Sequence, residues 1–131
     1  MTAQELVARA IKMQEFSSVP YSNFPVGAAL LCDDGTVFTG CNVENAAFGS
    51  TICAERTALL KAVSEGRRTG WTAIAIAGRG SNFCWPCGAC RQMLYEFAPG
   101  LRVLAARGDG AFETATLGQL MPHGFGPLSL Q

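Results

Sequence analysis

A chain of 131 residues with 49% hydrophobic composition is long enough for one domain around one core, spanning 1–131, and too short for two. Ten Lys and Arg against ten Asp and Glu leave no net charge, which argues against nucleic-acid or anionic-membrane binding and suits a small neutral ligand. The longest apolar runs, such as Val26 to Cys32, are too short to cross a membrane and no export signal is visible, so a cytoplasmic protein with six reduced cysteines is expected rather than a disulfide scaffold.

From the N-terminus, Ala3 to Phe16 places Leu6, Val7, Ala10, Ile11 and Met13 mostly on one side of a helical wheel, with Thr2 as its N-cap. Ser17 to Pro25 carries two prolines and reads as a loop. Val26 to Cys32 and Thr36 to Asn42 flank Asp33-Asp34-Gly35 and predict a hairpin. If the second strand runs on, alternation puts Asn42 and Glu44 on one face, an amide and a carboxylate suited to binding hydroxyls. A small-residue loop, Ala46 to Ile52, leads into a helix from about Cys53 to Glu65, stopped at Gly66. Thr72 to Ala77 is a buried strand, and a third helix is expected from Pro86 to Pro99-Gly100. Leu101 to Ala106 and Ala111 to Thr116 are two further strands, and the tail from Leu117 holds Phe125 and the sole histidine, His123. Cys32 and Cys41, in apolar strands, read as small buried hydrophobes. The elements together predict an α/β fold, a three-layer α/β/α sandwich on a mixed five-stranded sheet.

The chemistry concentrates in Cys53-Ala54-Glu55 and Pro86-Cys87-Gly88-Ala89-Cys90-Arg91-Gln92. The C-x-x-C spacing lets Cys87 and Cys90 grip one tetrahedral ion, and Cys53 can supply a third thiolate, which leaves a fourth position for water. All three fall near helix starts, where unpaired N–H groups and the helix dipole favour thiolates. Cys53 and Glu55 diverge by about 200° on a helix of 3.6 residues per turn, so they converge only over the helix end. There Glu55 is placed to move protons rather than to bind metal. Three thiolates on Zn²⁺ leave a formal charge of about −1, which calls for a cation; Arg56, three residues beyond Cys53, is favoured to donate to a ligand sulfur. A redox C-x-x-C has no need of a distant Cys-x-Glu, and a structural zinc site would need a fourth protein ligand.

These residues, with Phe24-Pro25-Val26-Gly27-Ala28-Ala29, Cys41-Asn42-Val43-Glu44-Asn45-Ala46 and Pro122-His123-Gly124-Phe125-Gly126-Pro127, make a chain that resembles the small homotetrameric cytidine deaminases over nearly its whole length. The resemblance implies hydrolytic deamination of cytidine or deoxycytidine, a nucleoside-salvage reaction, with zinc on Cys53, Cys87 and Cys90 and Glu55 shuttling protons. It further implies that Asn42 and Glu44 hold the ribose 3′-hydroxyl and that Phe24 packs on the pyrimidine. Ala54 would belong to the substrate-binding set. Phe125 and the Ala46 to Phe48 loop would reach into a neighbouring subunit's site. Two positions depart from the family's usual pattern: Phe48 stands where tyrosine is common, and Trp85 where a small serine-like residue is usual. A deaminase of another aminopyrimidine nucleoside, or a non-enzymatic zinc-binding module with a closed ligand shell, are the competing readings.

Overall fold

The computed structural model describes residues 1–131. Strands β1 (Val26–Cys32), β2 (Val37–Cys41), β3 (Trp71–Gly78), β4 (Arg102–Ala106) and β5 (Phe112–Thr116) form one sheet in the order β2-β1-β3-β4-β5. Only β3 and β4 are parallel, so the sheet is mixed. Helix α1 (Ala3–Met13) covers one face, while α2 (Ala54–Ser64) and α3 (Gly88–Phe97) cover the other; this is the three-layer α/β/α arrangement. Helix α3 is the crossover that any parallel β3–β4 pair requires.

The two faces differ because alternate residues of each strand differ in size. On the α1 side the sheet presents Ala29, Ala73, Ala75, Ala77 and Ala106, so Leu6, Val7 and Ala10 lie close against it. On the other side Leu30, Ile74, Ile76 and Val103 build a thicker core under α2 and α3 with Leu59 and Leu94. Glycines set the approach on both sides. A Cβ on Gly27 would fall 1.8 Å from the Ala10 carbonyl oxygen, and one on Gly40 would fall 2.3 Å from that of Ala54. Because Gly40 seats the first turn of α2, Gly40→Ala is expected to cost about 3 kcal/mol by overpacking. The substitution should also lower the metal content of the purified protein, since Cys53 caps that turn. Thermal melts and zinc analysis check both.

Helix α1 starts as its sequence predicts: Thr2 accepts from the Glu5 N–H and Glu5 accepts from the Thr2 N–H, a reciprocal cap. Its last turn, Gln14 to Phe16, tightens to a 3-10 turn. Helix α2 stops before Gly66, whose φ of +84° suits glycine. Helix α3 begins two residues later than expected from Pro86. Cys87 is extended, with φ −68° and ψ 169°, and acts as N-cap; its carbonyl accepts the first helical bond from the Arg91 N–H at 2.9 Å. Pro86 therefore lies outside the helix. The tail forms a four-residue helix, α4 (Leu117–Leu120), and a 3-10 turn, Pro127–Leu130, both too short for periodicity to reveal. No helix is long and apolar enough to cross a membrane.

Candidate active site

Two helix N-termini build the site. Cys53 is the N-cap of α2 and Cys87 the N-cap of α3, both extended, and neither side chain caps its own helix, so both thiols are free to turn outward. Cys90, in the first turn of α3, is fully buried. The Sγ atoms of Cys53 and Cys87 are 3.9 Å apart, those of Cys87 and Cys90 3.4 Å, and all three lie within 4.8 Å of one another. Sulfurs at about 2.3 Å from a tetrahedral zinc ion stand about 3.8 Å apart, so this donor set could take zinc with shifts of a few tenths of an ångström in the pairs measured. Cys84 lines the adjoining cavity but is not part of this cluster. With three protein ligands and no fourth, the arrangement has the form of a catalytic rather than a structural centre.

The electrostatics follow from burial and from the neighbouring cation. Hydrogen bonds from Cys90, Arg56 and Cys87 hold the Cys53 thiol well below its ordinary value, at about 5, while Cys90, donating to it from a buried position, is pushed up. The direction of both shifts makes Cys53 the more acidic of the two thiols. Arg56 Nη2 donates to Cys53 Sγ at 3.6 Å and to the Thr51 carbonyl at 3.1 Å; its Nε is buried with no partner. Glu55, 5% exposed, has its carboxyl pushed up to about 7 by burial and, secondarily, by the Cys53 charge. Such a value suits a group that must both accept and return a proton near neutral pH. Burial also raises the Cys84 thiol to about 11, so Cys84 is a neutral wall residue.

A cavity of about 180 Å³ opens onto Cys53, Cys87 and Glu55, with Ala54, Asn42 and Val26 among its walls. A second cavity of about 320 Å³, lined by Tyr21, Ser22, Glu44 and Phe48, adjoins it through Thr51. Asn42 and Glu44 both turn towards the loop before β1 and hold it. Asn42 Nδ2 donates to the Phe24 carbonyl and its Oδ1 accepts from the Val26 N–H, each at 2.9 Å. Glu44 accepts from the Tyr21 and Ser22 N–H groups at 3.0 and 3.1 Å, and hydrogen bonding from Ser22 and Tyr21 keeps its carboxyl below the ordinary range. Neither side chain is exhausted by these bonds, since each oxygen carries two lone pairs and the Asn42 amide a second N–H.

The aromatic candidates lie further out. Phe24 is 43% exposed, its ring over Gly78 and Gly80, and does not line the smaller cavity. Phe48, 70% exposed, stands edge-on to Tyr21 at 5.2 Å. Phe125, 59% exposed, lines neither cavity; its carbonyl accepts from Gln92 Nε2 at 2.8 Å. Sequence reasoning gave no site role to Thr51, Cys84 or Val26, all of which line the smaller cavity. Nearness to the cysteine motifs, two residues before Cys53 and three before Cys87, was the one signal for the first two. Cys41 is half-buried rather than buried, because β2 is an edge strand; its Sγ donates to the Phe16 carbonyl at 3.5 Å.

Comparison with known proteins points to one family. The model for the cytidine and deoxycytidylate deaminase zinc-binding region matches residues 1–106. A cytidine deaminase of Sporosarcina psychrophila is 46% identical over 126 residues, covering 95% of this chain and 92% of that protein. One from Halalkalibacterium halodurans is 47% identical over 126 residues, covering 95% of each. Among solved structures, the crystal structure of cytidine deaminase from Burkholderia pseudomallei superposes with a TM-score of 0.92 at 45% identity, over 95% of this chain and all of that one.

Proposed function

Because the chain belongs to the cytidine deaminase family, we infer that it is a zinc-dependent hydrolase converting cytidine and deoxycytidine to uridine and deoxyuridine with release of ammonia. The observation that carries the reading is the meeting of a three-thiol cluster and the buried Glu55 carboxyl at one small cavity, which Cys53, Cys87 and Glu55 line. Cys53, Cys87 and Cys90 would hold the ion, and Arg56, donating to Cys53, would offset part of their charge. When bound, zinc supplies Lewis-acid activation of a water molecule at neutral pH.

The chain's own residues do the rest. Glu55 accepts the proton of the attacking water and delivers it to ring N3 as the C4–O bond forms. It then carries the proton of the new C4 hydroxyl to the amine, the C4–N bond breaks, and ammonia leaves. One water is consumed, and Glu55 ends as it began. The 180 Å³ cavity is of a size for the pyrimidine alone, with Ala54 at its wall. The adjoining cavity then takes the sugar: Glu44 on its wall and Asn42 on the wall of the smaller cavity, both already fixed by the loop they hold, have lone pairs and an N–H left for the 3′-hydroxyl. Phe24, on that loop, is read as the aromatic side chain that packs on the base.

The 1–131 chain is read as one catalytic domain that works as a homotetramer with shared sites. Phe48, Phe125, Leu128 and Leu130 are large apolar side chains left exposed on the single chain, of the kind that subunit contacts cover. Six free cysteines suit the reducing cytoplasm. The experiment is direct: cytidine mixed with the zinc-loaded protein should show the ultraviolet change to uridine, with about one zinc per chain. Bound zinc without turnover of cytidine or deoxycytidine would overturn the reading and favour another aminopyrimidine.

A further inference from the structure

We propose that Trp85 is a specificity-determining residue, a rigid wall that restricts the reaction to pyrimidines with no substituent on the edge formed by C5 and the C4 amine. The inference rests on the cytidine reading of the cavity, and it concerns a side chain that neither binds the metal nor moves the proton.

The placement of the ring follows from the chemistry. C4 must reach both the metal cradle and Glu55, and Glu55 must also reach N3, so the N3 side of the ring faces the carboxyl. N1 points to the adjoining cavity at Thr51, the amine stays within reach of Glu55 as its departure requires, and the edge running from the amine to C5 faces the remaining lining. Cys84 and Trp85 belong to that lining, on the segment that ends in Cys87.

The segment is pinned at both sides of the indole. Before it, the Cys84 N–H donates to the Ala106 carbonyl at 3.2 Å, tying the loop to the end of β4. After it, Pro86 is fully buried, and its carbonyl accepts from Arg91 Nε at 2.7 Å. Arg91 is itself held by the Leu120 carbonyl at 3.1 Å. The indole packs against the larger core while also lining the cavity. A side chain backed by core and fixed in main chain cannot give way as a surface rotamer does. In a cavity of about 180 Å³, one added methyl group on that edge must displace it. A methyl-sized misfit of this kind discriminates by about 10- to 200-fold.

The test compares kcat/KM for cytidine, N4-methylcytidine and 5-methylcytidine in the wild-type zinc protein, Trp85→Phe and Trp85→Ser. The expected result is that the ratio of at least one methylated substrate to cytidine rises about tenfold or more in Trp85→Ser, with Trp85→Phe intermediate, as the volume removed dictates. The two methylated substrates separate a wall against the amine from one against C5. Zinc content and melting temperature accompany each variant, and Trp85→Phe, the smaller change, decides the matter if the serine variant folds poorly. Ratios unchanged in a folded, zinc-replete Trp85→Phe that still turns over cytidine overturn the proposal alone. Absence of cytidine turnover in the wild type overturns the reading of the site, and the proposal with it.

Discussion

Replacing Glu55 with glutamine is expected to leave about one zinc per chain and to lower kcat by at least about 10³, since general acid–base assistance by one positioned group is worth about 10² to 10⁴ and Glu55 serves several transfers in one turnover. The amide preserves shape but can neither take a proton from water nor give one to N3. KM should change far less than kcat, because the pyrimidine still meets the same walls. Near-normal turnover in that variant would remove Glu55 from the mechanism. A second effect goes the other way. In protein stripped of zinc by chelation, the Glu55 carboxyl is raised from its ordinary 4.5 to about 7, so the folded state holds its proton more tightly than the unfolded chain does. That contribution to stability is fully present below pH 4.5 and is lost as pH rises to about 7. The chelated glutamine variant should therefore match the chelated wild type near pH 4 and exceed it by about 3 kcal/mol at pH 8. Comparing the two proteins cancels the opposite trend from Cys53, whose lowered value stabilises the fold as pH rises. Paired urea titrations at the two pH values measure the difference. A functional carboxylate that destabilises its own fold is the usual exchange of stability for activity.

How far the sequence discloses this site depends on whether a signal is local. Helix starts are local events, so Cys53 and the Cys87/Cys90 pair can be put at helix ends from the residues alone, and the convergence of Cys53 with Glu55 over an end follows from helical geometry. The hairpin from Val26 to Cys41 is equally local, because Asp33-Asp34-Gly35 both breaks and turns the chain. Pro86 shows the limit. Proline fits a first helical turn and equally fits the extended residue before an N-cap, and the choice was made by tertiary bonds from Arg91 and by the extended backbone of Cys87. The inner walls of the cavity are less legible still. Cys84 and Trp85 lie in a loop with no period, and what ties that loop beside the cavity is a hydrogen bond from the Cys84 N–H to the Ala106 carbonyl, more than twenty residues away in sequence. Asn42 and Glu44 were visible as a polar pair, yet their anchoring of the loop at Tyr21 to Val26 depends on a pairing of segments that no alternation pattern predicts.

Removing zinc, or any one of its three thiols, should abolish turnover without unfolding the chain. The three cysteines sit at the ends of α2 and α3, but what holds those helices is the apolar layer beneath them, with Ala58, Leu59 and Ala62 of α2 and Leu94 of α3 buried against Leu30, Ile74, Ile76 and Val103. Far-ultraviolet circular dichroism of the chelated protein should therefore stay close to that of the loaded form. Stability will still fall, because an ion that binds only the folded state contributes about 4 kcal/mol when its free concentration is a thousand times Kd. For a domain of this size that corresponds to about 12 °C in Tm. Restoring zinc should restore both Tm and activity. Cys84 supplies the control, as a fourth thiol on the same cavity that remains neutral and outside the cluster. Cys84→Ser is expected to retain about one zinc per chain, and Cys53→Ser, Cys87→Ser and Cys90→Ser to fall well short of it. Of these three, Cys53→Ser should lose most, because Cys53 is the ligand to which Arg56 donates, and its loss leaves that guanidinium facing the site without its partner. Equal zinc content in Cys53→Ser and Cys84→Ser would show that the metal is held elsewhere, and the three-thiol cradle would have to be abandoned.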